Sequence, residues 1–184
     1  MKKWKVLKEE DVSPSKWYPI FKHKVEIGNG KIVDDFYLSI AGDVILILPV
    51  LKTGEIVLVK QYKHAAEDFV IEFPAGYIQE GKTLQETALA ELEEETGIKT
   101  TLENMKFVGR TMNNPSKMRQ YTHFYIAQDL EFNSSQKFDE NEDIEVMVLA
   151  PKKVLEMVLD GTIYSSSTVA NILKASLLFP DIFK

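Results

Sequence analysis

The chain has 184 residues, 45% hydrophobic and 27% charged, with nine glycines and seven prolines; these proportions describe one globular domain with slight decoration and exclude disorder, collagen and low complexity. Its longest apolar run, residues 44–51, is far short of the roughly 20 residues that span a bilayer, and the absence of cysteine removes disulfides, thiolate metal sites and a cysteine nucleophile together. With no cysteine, any metal is left to oxygen or histidine ligands; a net charge of −6, with Arg110 and Arg119 the only guanidinium groups, argues against a general nucleic-acid binder, and neither nucleic acid nor a membrane is an expected partner.

The basic residues 1–5 are followed by no apolar core or cleavage site, so the expected location is cytoplasmic. Residues 21–27 and 31–40 flank Gly28-Asn29-Gly30, a turn of residues that accept positive φ, and predict a hairpin. A second hairpin is expected from 44–50 and 56–62 around Leu51-Lys52-Thr53-Gly54-Glu55. Residues 69–73 form a further short strand, closed by Pro74-Ala75-Gly76. The apolar period then changes from two to about 3.6. Thr83-Leu84-Gln85-Glu86 is a capping box that starts a helix near Leu84, and Gly97 stands where a left-handed residue ends one. Strands follow at 105–110, 121–127 and 144–149. Two helices close the chain, about 152–159 after Pro151 and 168–178 after Ser165-Ser166-Ser167, whose hydroxyls are expected to cap. Many strands, one interior helix and terminal helices predict an α+β fold, a sandwich with a mixed sheet and an N-terminal β-hairpin extension over 1–42.

Glu91-Leu92-Glu93-Glu94-Glu95 is the densest chemical signal. A solvated acidic face is the ordinary reading of such a run. At about 100° per residue, however, Glu91, Glu94 and Glu95 gather at one margin of the stripe formed by Leu84, Ala88, Leu89 and Leu92, while Glu86 and Glu93 stand apart. Carboxylates crowded beside an apolar stripe repel one another and lose hydration, and a hard cation removes both costs. Oxygen-only ligation suits Mg²⁺, with Mn²⁺ as the alternative.

Gly76-Tyr77-Ile78-Gln79-Glu80-Gly81-Lys82, seven further residues, then Ala90-Glu91-Leu92-Glu93-Glu94-Glu95-Thr96-Gly97-Ile98 resembles the Nudix box, G-x5-E-x7-R-E-U-x-E-E-x-G-U. The register is kept throughout, and two positions depart: Lys82 replaces a glutamate and Ala90 an arginine. Gln61-Tyr62-Lys63 and Glu72-Phe73-Pro74-Ala75-Gly76 are similar to the Q-Y-R and E-x-P-A-G segments of the ADP-ribose pyrophosphatase branch, with Lys63 in place of arginine. Pro115, the acidic segment from Glu140 to Ile144 and the turn at Asp160-Gly161 extend the similarity over nearly the whole chain.

The resemblance implies a Nudix-like α/β/α sandwich over 43–184, with the Ala75 carbonyl and the side chains of Glu91, Glu94 and Glu95 holding the metal. It implies that Glu140 or Glu142 activates water, that Lys63, Glu72 and Arg119 contact substrate, and that the N-terminal strands reach a partner in a homodimer. The expected reaction is Mg²⁺-dependent hydrolysis of ADP-ribose or a related nucleoside diphosphate sugar, giving a nucleoside monophosphate and a sugar phosphate. Another nucleotide sugar such as GDP-mannose, or a non-catalytic nucleotide-binding module, are the alternatives. His23, His64 and His123 have no ligand spacing and receive no role; Trp17, Tyr18 and Phe36 are aromatics that could stack on a base or fill a seam.

Overall fold

The computed structural model describes residues 1–137 and 143–184. The chain divides into two compact units, one made of Met1–Asp43 with Met112–Tyr121, the other of Val44–Thr111 with Thr122–Lys184.

The first unit is a four-stranded sheet in the order β1-β2-β3-β9, built from β1 (Lys5–Asp11), β2 (Ile20–Glu26), β3 (Ile32–Ile40) and β9 (Met118–Arg119). The hairpin expected at Gly28-Asn29-Gly30 is present: β2 and β3 are antiparallel, with Glu26 opposite Ile32 and Phe21 opposite Leu38. β1 has no counterpart among the expected strands. Every one of its residues is exposed, so no burial selects an alternating pattern that could be read in advance. Val25 is the sole buried hydrophobic of this unit, whereas Trp4, Val6, Leu7, Trp17, Tyr18, Ile32 and Tyr37 are exposed. Trp4 meets Phe36 edge to face, with centroids 5.7 Å apart.

The second unit holds the remaining strands, β4 (Val44–Leu51), β5 (Ile56–Lys63), β6 (Asp68–Glu72), β7 (Ala75–Tyr77), β8 (Met105–Met112), β10 (Tyr121–Leu130) and β11 (Ile144–Leu149), and the helices α1 (Leu84–Thr96), α2 (Pro151–Leu159) and α3 (Ser166–Leu178). Its sheet runs β11-β5-β4-β10-β8, with β6 beside β5 and β7 beside β4. It is mixed: β10 lies parallel to β4, and β11 antiparallel to β5. Alternation along β4 builds the two layers. Leu46 and Leu48 pack with Val154, Met157, Ile172 and Ala175 of α2 and α3, while Ile45 and Ile47 pack with Ala88 and Leu92 of α1. A strand covered on both faces needs apolar residues at every position, which explains the unbroken run at 44–51. The class is α+β and this unit is an α/β/α sandwich.

Three local expectations are corrected. The hairpin of 44–50 with 56–62 survives only at its turn, where Val50 faces Ile56; farther along, β4 gives that edge to β7, with Val44, Ile45 and Leu46 opposite Tyr77, Gly76 and Ala75. Pro74-Ala75-Gly76 is therefore the entry to a strand rather than the close of one. Ser165 is the N-cap residue of α3, yet its hydroxyl makes no capping bond. No helix among the described residues is long and apolar enough to cross a membrane.

Candidate active site

Helix α1 is set by chemistry local to its ends. Thr83 Oγ1 accepts the Glu86 N–H at 3.2 Å, and Glu86 Oε2 accepts the Thr83 N–H at 2.8 Å, so two free donors of the first turn are satisfied reciprocally. The Thr83 N–H, then the Thr83 hydroxyl, which donates to Glu86 Oε2 at 2.9 Å, and least of all Lys82 hold the Glu86 carboxyl below its ordinary value. At the other end Gly97 has φ 73° and returns its N–H to the Glu93 carbonyl at 2.9 Å. A side chain there would be strained and would meet the Ser134 carbonyl at 2.8 Å.

Between these ends the buried face carries Thr87, Ala88, Leu92, Glu95 and Thr96, with Leu89 only half-buried. Glu95 is thus a core-facing carboxylate, 7% exposed. Its Oε2 accepts the Ala75 N–H at 3.0 Å, which fastens helix to strand β7. One turn earlier, Glu91 Oε1 accepts Gln79 Nε2 at 3.2 Å, and its carboxylate lies over Gly76: a Cβ added at Gly76 would sit 2.1 Å from Glu91 Cδ. A short strand without a side chain at its middle position lets the two carboxylates come down onto the backbone. Ala75, Glu91 and Glu95 are therefore brought together. Glu94 is half-buried on the same helix, its carbonyl accepting the Lys137 N–H at 2.9 Å.

Glu93 stands apart from the cluster, as its angular position requires. Ser134 Oγ at 2.8 Å, Lys137 Nζ at 3.2 Å and Lys99 Nζ at 3.7 Å surround its carboxylate. The Ser134 hydrogen bond, then Lys137 and Lys99, hold this carboxyl below the usual range.

A second group lies on the β5–β6 pair. Lys63 Nζ is 3.6 Å from Glu72 Oε2 and donates to Gln61 Oε1 at 2.6 Å, while Ser165 Oγ donates to Glu72 Oε1 at 2.6 Å. Arg119 is exposed on β9 of the first unit, opposite Ile40. Glu140 and Glu142 lie outside the described residues. Trp17 and Tyr18 are exposed, His23 is buried with Nε2 2.9 Å from Glu9 Oε2, and Phe36 lies under Lys117 Nζ at 4.7 Å.

Gln79 and Ser165, which contact Glu91 and Glu72, are the neighbours of the expected site residues that the sequence does not announce. Gln79 falls at a variable position of the box, and Ser165 reads as a helix cap; each acts across elements distant in sequence.

Among the described residues no three His, Asp or Glu side chains converge as a ready-made metal cage. The donor set is nonetheless the one a hard cation takes. Mg²⁺ typically uses one or two carboxylates plus waters and substrate phosphate, and here two carboxylates one turn apart meet a strand through a position where a Cβ would fill the cradle.

The sequence model of the NUDIX domain matches residues 42–165. The chain is 29% identical over 165 residues to a Bacillus subtilis protein named ADP-ribose pyrophosphatase, covering 89% of this chain and 88% of that one. It is 28% identical over 166 residues to a Bacillus methanolicus protein named methanol dehydrogenase activator, covering 90% and 88%. A crystal structure described as an ADP compounds hydrolase superposes with a TM-score of 0.85 at 20% identity, over 98% of this chain and 96% of the other, which establishes the likeness of fold.

Proposed function

This chain belongs to the NUDIX family, and from that premise we propose that it hydrolyses the diphosphate bond of ADP-ribose or a related nucleoside diphosphate sugar, with Mg²⁺ as cofactor. The products are a nucleoside monophosphate and a sugar phosphate. The convergence of Glu91 and Glu95 on Ala75 and Gly76 carries this reading; the name of the Bacillus subtilis relative supports the substrate class.

Glu91, Glu94, Glu95 and the Ala75 carbonyl would hold the cation, with Mn²⁺ as a substitute. When bound, it supplies positive charge opposite the two phosphates and acidifies water. Glu95 is fixed by the Ala75 N–H and Glu91 by Gln79, so neither carboxylate reorganises when substrate arrives. Lys63, Glu72 and Arg119 orient the substrate. Glu140 or Glu142 takes a proton from the attacking water. The protein acts in the cytoplasm as a homodimer, with residues 1–42 as the strand extension at the seam and 43–184 as the catalytic domain. The first unit's single buried hydrophobic and its exposed Trp4, Trp17, Tyr18 and Tyr37 support that seam.

The deciding experiment follows the products of ADP-ribose in ¹⁸O-labelled water with Mg²⁺, with and without excess chelator. Label in one phosphate product, lost with chelator, is the expected result. Turnover in excess chelator would remove the metal from the reading, and binding without turnover would favour a nucleotide-binding module. Faster turnover of GDP-mannose in the same assay would reassign the substrate. One of Glu140→Gln and Glu142→Gln lowers kcat by about 10²- to 10⁴-fold, the range for a lost general base.

A further inference from the structure

We propose that Ser165, at the junction of α2 and α3, is a positioning residue that fixes the carboxylate of Glu72 for substrate; the inference rests on Glu72 contacting the ligand, as in the function proposed above.

The argument begins with a cap that is not made. Ser165 occupies the N-cap position of α3: its carbonyl accepts the Val169 N–H at 2.9 Å and its backbone is extended, with φ −61° and ψ 119°. A serine so placed ordinarily turns its hydroxyl back onto the amides of the first turn. Here the hydroxyl points out of the helix, 2.6 Å from Glu72 Oε1 and 3.4 Å from Ser167 Oγ. Its short contact with a carboxylate is a charge-assisted hydrogen bond, stronger than the neutral bond a cap would make. The preceding residue behaves alike, since Tyr164 Oη lies 3.4 Å from Asp68 Oδ2. Two consecutive junction residues thus reach the two acidic ends of one strand, β6.

The consequence is a division of labour between the two oxygens of Glu72. Oε1 is taken by Ser165, while Oε2 faces Lys63 Nζ at 3.6 Å, beyond a good hydrogen bond. The Glu72 side chain remains partly open to solvent, so Oε2 is the oxygen left to accept a ligand hydroxyl, with Lys63 held beside it by Gln61. Without Ser165 the carboxylate rotates and either oxygen can turn to Lys63. Local sequence logic fails at Ser165, and such failures gather at functional positions.

The test uses the full chain as wild type, Ser165→Ala, Ser165→Thr, Glu72→Gln and the double variant Ser165→Ala with Glu72→Gln. Three quantities are measured: kcat and KM for ADP-ribose with Mg²⁺, calorimetric Kd for ADP-ribose without added metal, and Tm. Ser165→Ala raises KM and Kd by about 10-fold, the scale of a lost supporting hydrogen bond at a site, with kcat within about twofold and Tm little moved. Threonine, which keeps the hydroxyl, restores both constants. On the Glu72→Gln background the alanine adds nothing. Unchanged KM and Kd in Ser165→Ala, additive effects in the double variant, a neutral Glu72→Gln, or a fall in Tm and kcat alone would each overturn the inference. Wild type that binds ADP-ribose without turnover, yet shows the same pattern in Kd, sinks the hydrolase reading and leaves Ser165 in place; wild type that neither binds nor turns over ADP-ribose overturns both.

Discussion

At Gly76 the absent side chain has a function distinct from backbone freedom. Its φ is not positive, so alanine is tolerated by the chain, but the new methyl would occupy the space of the Glu91 carboxylate. The atoms met are the far end of a flexible side chain, which can swing away without disturbing the helix. Gly76→Ala is therefore expected to leave Tm nearly unchanged while lowering turnover, or raising the Mg²⁺ requirement, by about 10- to 100-fold; full activity at low Mg²⁺ would remove Glu91 from the site. The two departures from the box invite a paired test. Lys82 is exposed just before the helix start, Ala90 is half-buried within α1, and their family counterparts bear opposite charges. If those counterparts act as a supporting pair, restoring both with Lys82→Glu and Ala90→Arg gives more activity than either alone, because a single restored charge lacks its partner. Simple additivity across that double-mutant cycle refutes the pairing.

Helix α1 shows how an element can carry a pH signature through its ends. The Glu86 carboxyl is held below its ordinary value of 4.5, mainly by the Thr83 backbone N–H. A carboxyl lowered in the folded state contributes stability that is fully present above the ordinary value and is lost as pH falls through the folded one. Glu86→Ala should thus lower Tm at pH 7, and the gap from wild type should narrow steadily below about pH 4.5; a gap independent of pH would exclude the charged form of the cap. The same helix is legible in sequence, from a start near Leu84 to its end at Gly97, because both its signals act within four positions. Strand β7 is not. Three residues cannot establish a period, and its existence depends on pairing with β4, some thirty positions earlier. The glutamate cluster was readable from angles on one helix, but its meeting with Ala75 and Gly76 needed the fold. The capping role expected for Ser165 failed because a carboxylate from β6 competes for its hydroxyl.

Across the whole molecule, apolar residues are divided unequally: the core clusters belong to the second unit, while the first exposes several aromatics and its sheet buries a single hydrophobic, Val25. Such a sheet is marginal by itself and gains stability from a covering surface. Light scattering is accordingly expected to give twice the 21.0 kDa chain mass at micromolar concentration; a value equal to one chain would end the homodimer proposal. The chain's two tryptophans, Trp4 and Trp17, both lie in the first unit, whereas α1, α2 and α3 all belong to the second. Intrinsic fluorescence and far-ultraviolet circular dichroism are therefore optical reporters of different units of one polypeptide. In urea the emission shift is expected at lower denaturant than the loss of helical ellipticity, with a midpoint that rises with protein concentration while the ellipticity midpoint stays fixed. Superimposable curves would mean that the two units melt as a single cooperative block.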